Sequence, residues 1–374
     1  MTEAANQPLL RTCLYGEHVA LGARMVPFGG WEMPVTYAAG QLAEHRAVRN
    51  AIGIFDVSHM GQVRFTGAGA LAFLEQIVPA DLRALLDGQS KYTQLCNESG
   101  GVIDDLIVSR LGRHEYFAVV NASTRVGDVK WMREKAKELK VADCNISDES
   151  DQWGMIAVQG PQALGMLDRL VTNKIWSNTS ALTLHPFEAQ GQPHLLSRTG
   201  YTGEAGGELI CPAPLAAQWW KRFLDAGAQP CGLAARDSLR LEAGYCLYGN
   251  DLDLGTSPVE AGLSWSVGWK KTAKYIGREV LEKQKAEGVS RKLVGLRTES
   301  RRPLRQHDKV VRDGVEVGEV TSGGFSPLLE CGIAMAYIQS DALKADNLHI
   351  ASKTASQPAT IVKPPFVEIG LKKS

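Results

Sequence analysis

The sequence predicts an α+β fold that ends in a small all-β domain. Three observations carry this expectation. Strand-like and helix-like runs are mixed, without regular βαβ alternation. The most charged long segment, KKTAKYIGREVLEKQKAEGVSRK at 270–292, reads as a solvated boundary. Beyond it the pattern is one of short strands separated by turn residues. A chain of 374 residues has room for two or three domains and a large core. The division expected is a larger region over 1–280 and an all-β domain over 285–374.

In chain order, residues 102–108 (VIDDLIV) and 116–120 (YFAVV) read as two strands joined by LGRHE, a hairpin loop. Residues 125–139 read as an amphipathic helix, with Val129, Met132 and Ala136 on one face and Lys and Arg over the other. Residues 212–225 have a similar pattern, with Trp219, Trp220 and Phe223 as core contacts. LAARDSLRLEAG at 233–244 reads as a short helix closed by Gly244. IGREVLEKQK reads as a solvated helix ending near Gly288. VVRDGVEVGEV (310–320) alternates about Asp313–Gly314, a pair that favours the type I′ hairpin turn. Short strands follow at 333–338, 348–352 and 359–363.

Lys plus Arg is 41 and Asp plus Glu is 41, so the formal net charge is zero. That balance gives no electrostatic grip on nucleic acid or on an anionic membrane, and neither is expected as a partner. No apolar run approaches the roughly 18 residues of a membrane span. The N-terminus, MTEAANQPLLRTCLYGEH, lacks a basic segment followed by a long apolar one, and it is poor in Arg and Ser for a transit peptide. A cytoplasmic location is expected, with the mitochondrial matrix as the alternative. The seven cysteines are odd in number and form no C-x-x-C pair. This argues for reduced thiols and against a disulfide framework, a zinc site or an iron–sulfur site.

Four stretches are candidates for chemistry. GGVIDDLIV places Asp104 and Asp105 inside an apolar strand. Neighbouring strand residues point to opposite faces, and both faces here are apolar, so at least one carboxylate meets a covered surface. Such a group is either tied to a structural partner or held for a ligand. Alternation alone does not choose between the two aspartates. RTGYTGEAGGELICPA packs four glycines into residues 200–208, a tight loop able to bring backbone near a ligand, and places Glu208 at the mouth of a strand. In LAARDSLRLEAG, Arg236 and Arg240 share a helix face, so an anion or the local carboxylates Asp237 and Glu242 must answer them. In FDVSHMG, His59 lacks Ser or Cys partners at recognisable spacing and reads as structural rather than as part of a triad.

These stretches together resemble one family. PFGGWEMPVTY, FDVSHMG, KYTQLCNESGGVIDDLIV, VVNAS, VQGPQA, RTGYTGEAGGELICP, GLAARDSLRLEAG and TSPVEAGLSW occur in order, and the likeness runs from about residue 8 to the end. The family is the T-protein of the glycine cleavage system, a tetrahydrofolate-dependent aminomethyltransferase. The resemblance implies three domains in a cloverleaf around a central folate channel. The first two are interleaved in sequence and the third is a C-terminal β-barrel. It implies transfer of a methylene carbon from the S-aminomethyl lipoyl arm of H-protein to tetrahydrofolate, with release of ammonia. By matching position it implies Asp105 as the catalytic carboxylate, Glu208 as the residue gripping the pterin, Arg236 in the folate site, and Tyr92, Asn121 and Tyr201 as further lining residues. No metal is implied, and a monomer that meets H-protein transiently is the family expectation.

One departure stands out. Relatives often place an arginine after the Pro-x-Phe-Val of the C-terminal segment, where it meets the glutamate tail of folate. Here KPPFVEIGLKKS puts Glu368 at that place, leaving Lys372 or Lys373 to take over the tail, or the tail more weakly held. There are two alternative functions, one an enzyme of the same superfamily and one of a different class. A folate-dependent demethylase would share the pterin pocket, but the intact GGVIDDLIV and LAARDSLRLEAGYCLYGND favour aminomethyl transfer. A folate-binding iron–sulfur assembly factor would carry a Lys-Gly-Cys-x-x-Gly-Gln motif, where this chain reads KYIGREVL without a cysteine.

Overall fold

Two sheets and a closed barrel organise the chain. The computed structural model describes residues 8–171, 176–352 and 356–370. One antiparallel sheet runs, in spatial order, through Ser90–Cys96, Val102–Gly112, Glu115–Val120, Gly61–Thr66 and Asn145–Asp148. Helices Ala70–Ile77 and Arg125–Glu138 cover one of its faces. Phe73, Leu74, Val129 and Met132 pack there on Val63, Phe65, Leu106 and Val108. The second sheet runs through Leu184–Ala189, Gln192–Ser197, Gly206–Pro212, Trp153–Gln159, Gly53–Asp56 and Gln229–Pro230. Its strand WGMIAVQ is buried along its whole length because both faces are covered. Helix Ala216–Asp225 lies on the outer face, where Trp219, Trp220 and Phe223 are fully buried as the pattern required. Each ring removes about 150–250 Å² from water, on the order of 4–6 kcal/mol apiece before entropy is counted. The inner faces meet. Phe117 of the first sheet packs with Met155 and Ile210 of the second.

The barrel closes in the order Arg291–Arg297, Cys331–Gln339, Val315–Ser326, Lys309–Arg312, Leu348–Ala351 and Ser356–Val362. Closure removes the exposed strand edges that a small open sheet would leave. Its hairpin pairs Arg312 with Val315, and Asp313 and Gly314 take φ of 51° and 82°, the two positive values of a type I′ turn. Helix Arg278–Glu287 ends at Gly288 on the charged boundary.

The expected helices over 125–139, 212–225 and 233–244 form at Arg125–Glu138, Ala216–Asp225 and Leu233–Ala243. The second starts later than expected because Pro212 and Pro214 lack N–H donors, and residues Ala213–Leu215 form a 3₁₀ turn instead. The strand expected over 102–108 extends to Gly112, so the hairpin loop shrinks to two residues between Gly112 and Glu115. Gly244 closes helix Leu233–Ala243 with φ of 72°. A Cβ there would come within 2.3 Å of Pro364, so the same residue permits the turn and the approach of the C-terminal segment.

Candidate active site

A cavity of about 1,110 Å³ opens between the two sheets and the barrel. Asp105, Ile107 and Val119 come from the first sheet, and Met155, Glu208 and Ile210 from the second. Val294, Met335 and Val362 come from the barrel. All six residues singled out by the resemblance line it: Tyr92, Asp105, Asn121, Tyr201, Glu208 and Arg236.

Strand alternation separates the two aspartates, as the physics of a pleated strand demands. Asp104 shares the face of Leu106 and Val108, beneath the helices, and is fully buried. It accepts the Asn121 backbone N–H at 2.9 Å and the Asn121 Nδ2 at 2.9 Å. It is the structurally tied member of the pair. Asp105 points the other way. Its Oδ2 accepts the Tyr92 hydroxyl at 3.0 Å and its Oδ1 accepts Asn121 Nδ2 at 2.9 Å. Burial, and then the charge of Asp104, push the Asp105 carboxyl up to about 7. Behind Asp104 lies Asp128, 1% exposed, with neither carboxylate oxygen given a donor. Burial and Asp104 push it up to about 9, so it holds its proton at neutral pH.

On the facing sheet Glu208 is buried, and burial raises its pKa. Thr199 Oγ1 donates to its Oε2, and the charge of Arg236 favours its ionised form. Arg236 stacks on Tyr201 at 4.7 Å, and its buried Nη1 has no hydrogen-bond partner. Of the two arginines, Asp237 answers Arg240 at 2.8 Å along the same helix, as the spacing allowed, but neither it nor Glu242 answers Arg236. Glu242 joins Arg49 of the neighbouring helix at 2.9 Å, and Arg236 lies on the cavity side. The Tyr201 hydroxyl donates to the Cys246 carbonyl oxygen, which fixes the ring as a platform. Tyr92 is held in turn by Trp265, whose ring stacks at 5.6 Å and 21° and is 67% exposed at the cavity rim.

The glycine loop serves packing more than ligand approach. A Cβ on Gly200 would lie 2.0 Å from Gln159 Oε1, and one on Gly206 would lie 2.2 Å from the Val158 carbonyl oxygen. The loop presses on strand Trp153–Gln159 and so delivers Glu208 to the cavity wall. Two other outcomes concern residues outside the six. His59 also lines the cavity, 2% exposed, where the sequence suggested only a structural group. Its signal was its place in the turn between strands of different sheets, Gly53–Asp56 and Gly61–Thr66, which is legible only once the sheets are known. Glu368 is exposed, and Lys372 and Lys373 lie outside the described residues.

The family model described as "GCVT N-terminal domain" matches residues 14–271, and "Glycine cleavage T-protein C-terminal barrel domain" matches residues 291–368. The aminomethyltransferase of Synechococcus sp. (strain RCC307) is 43% identical over 359 residues, covering 96% of this chain and 99% of its own. That of Rubrobacter xylanophilus is 42% identical over 369 residues, covering 98% of this chain and 96% of its own. The crystal structure of glycine cleavage system aminomethyltransferase T from Bartonella henselae superposes with a TM-score of 0.90 at 34% identity, covering 97% of this chain and 99% of that one.

Proposed function

The chain belongs to the glycine cleavage T-protein family and is an aminomethyltransferase of that system, and from this premise we propose that its central cavity takes tetrahydrofolate, with Asp105 as the catalytic carboxylate. The reaction moves the methylene carbon of the S-aminomethyl-dihydrolipoyl arm of H-protein to tetrahydrofolate, releases ammonia, and gives 5,10-methylenetetrahydrofolate and dihydrolipoyl H-protein. Tetrahydrofolate supplies the nucleophilic ring nitrogen. The residues fit such a ligand. Glu208 presents its carboxyl beside Arg236 to paired N–H donors, and the unpartnered Nη1 of Arg236 awaits an acceptor such as a ring carbonyl. Tyr201 fixes Arg236 from below, while Tyr92 and Asn121 fix Asp105.

Asp105 sits at the cavity wall with its charge poised near neutrality. As an anion it stabilises the positive charge that develops when an amine nitrogen attacks a methylene carbon, and it accepts the proton that must leave afterwards. The observation that carries the reading is this carboxylate, held by two side-chain donors and facing the Glu208–Arg236 pair across one cavity. For the glutamate tail, the exposed Lys292 and Lys363 line the cavity and stand in for the arginine absent at Glu368. We read the chain as a monomer that meets H-protein transiently. All seven cysteines are free, which accords with a reducing compartment, and the bacterial relatives favour the cytoplasm over the matrix. The test is incubation with aminomethyl-H-protein and tetrahydrofolate: ammonia should be released in step with methylenetetrahydrofolate. Absence of ammonia from the folded wild-type chain sinks the reading.

A further inference from the structure

The described chain holds four fully buried histidines, and one of them is unlike the rest. His18 bonds Asp56 at 2.9 Å and Tyr37 at 2.9 Å, and His45 bonds Ser238 at 2.8 Å through Nδ1 and lies 3.1 Å from the Glu242 carboxylate through Nε2. His194 accepts the Trp219 Nε1–H at 3.0 Å. His59 is 2% exposed, yet its Nδ1 is buried without a hydrogen-bond partner. Phe28 holds the ring edge-on, at 5.9 Å and 81°. The ring lines the central cavity beside Phe28, Gly29 and Met60, and Arg236 is near enough for its charge to act on the imidazole.

An orphaned polar atom gives up its hydration with nothing in return. A nonpolar side chain in that space would fill it without the cost, so packing gives no reason for an imidazole. Nor does charge. Burial holds the imidazole down to about 4 against the pull of Asp56, with a smaller push in the same direction from the Arg236 cation, so the ring is neutral at physiological pH. A neutral imidazole offers one N–H and one lone pair in a fixed plane. Arg236 Nη1 is the other orphan in the same cavity, and it can only donate. His59 and Arg236 line one cavity and each carries an unsatisfied nitrogen, so one planar ligand with a carbonyl or ring-nitrogen edge answers both.

We propose that His59 is a ligand-binding residue of the cavity, which together with Arg236 grips the carbonyl and ring-nitrogen edge of a fused pyrimidine such as the pterin. This rests on the folate reading above and adds a residue to it. Glu208 takes the N–H side of the heterocycle, and the two orphans take its acceptor side. His59 contributes recognition rather than proton transfer, since a group titrating near 4 carries no proton to give at neutral pH.

Titration calorimetry of the full chain with 5-formyltetrahydrofolate, a stable reduced folate, tests this, with p-aminobenzoylglutamate as a probe that lacks the pterin. His59→Leu should weaken 5-formyltetrahydrofolate about tenfold, leave p-aminobenzoylglutamate unaffected, and leave the melting temperature unmoved or raised. His59→Asn, which keeps a donor and an acceptor, should recover part of the affinity. In turnover, His59→Leu should raise KM for tetrahydrofolate more than it lowers kcat. Unchanged affinity in His59→Leu overturns the proposal, as does an equal loss with the probe lacking a pterin. So does loss of folding in both His59→Leu and His59→Phe, because an orphaned ring is dispensable to the fold. If the wild type itself fails to bind the reduced folate, the folate reading has failed. If Glu208→Ala weakens binding and His59→Leu does not, only the assignment of His59 has failed.

Discussion

Arg236 and Arg240 lie one turn apart on helix Leu233–Ala243, and their surroundings are opposite. Arg240 is saturated. Its guanidinium bonds Asp237, the Tyr245 carbonyl oxygen, Asp251 at 3.0 Å and Ser322 at 2.9 Å. Asp251 is satisfied in turn by Ser322, Thr321 and the Leu247 N–H. This network, with Glu242 bonded to Arg49 and to Ser326, fastens the helix to the barrel. Arg236 faces the cavity with Nη1 empty-handed. The two regions bury charge alike, but only one of them completes its hydrogen bonds internally. Saturation marks the joint between domains, and unsaturation marks the place kept for a ligand.

The sharpest way to test this contrast is at Asp105. Asp105→Asn preserves shape and the contacts with Tyr92 and Asn121 while removing the charge. Turnover should fall by about 10²–10⁴-fold. At pH 8 the melting temperature should hold or rise, since a buried anion beside Asp104 is lost. A variant with near-normal turnover removes Asp105 from the catalytic role. On the saturated side the expectation reverses. Arg240→Leu strips Asp251 of its cation and should cost about 3–5 kcal/mol in urea unfolding. Reduced-folate affinity of the folded protein should stay within about threefold. A stable Arg240→Leu variant would mean that the network is not what holds helix to barrel.

Glu208→Ala comes next in size. It removes a buried carboxylate whose one described donor is Thr199. Reduced-folate affinity should drop about tenfold to a hundredfold by calorimetry, the worth of a charge-assisted pair, with little loss of stability. A fall in melting temperature with intact affinity would move Glu208 to the structural side of the comparison.

How far these roles were legible in the sequence depends on whether they are local. The Asp313–Gly314 turn is a two-residue matter of φ preference, and it forms as read. The Trp219, Trp220 and Phe223 face follows from helical spacing, and it is buried as read. The split between Asp104 and Asp105 needs one more fact, which face of Val102–Gly112 the helices cover, and only packing supplies it. Asp237, a local candidate for the two arginines, does answer Arg240. The remaining partners of Arg240 and those of Glu242 were out of reach, since Ser322 and Ser326 lie some 80 residues on, in the barrel. The identities of the six cavity residues came from resemblance, whereas His59 is orphaned by an arrangement of three elements that no local pattern encodes.

The smallest effect separates the cavity face of the strand from its helix face. Asp105 is raised to about 7 first by burial and second by the charge of Asp104, and the two titrate as a pair. Across the cavity Arg236 keeps its cation throughout this range, and the nearer tyrosines and Asp128 add no change of charge near neutrality. Tyr92, Tyr201 and Tyr248 are pushed up by burial, and Asp128 keeps its proton to about 9. If ionised Asp105 is the working form, turnover falls as pH drops through about 7. Asp104→Asn keeps the shape and one of the two acceptors that Asn121 uses but deletes the second cause, so the acid limb of kcat should move to lower pH by about one unit. Stability follows the same sign. A carboxyl raised above its unfolded value of about 3.9 binds its proton more tightly when folded, so its contribution is full below pH 4 and is lost as pH rises towards 7. Asp104→Asn should therefore flatten that slope in urea titrations between pH 4 and 7. An unmoved acid limb would show that the charge behind the strand does not reach the carboxylate in front of it. The wall between structural and catalytic aspartate would then be electrically opaque, and the limb would belong to another group.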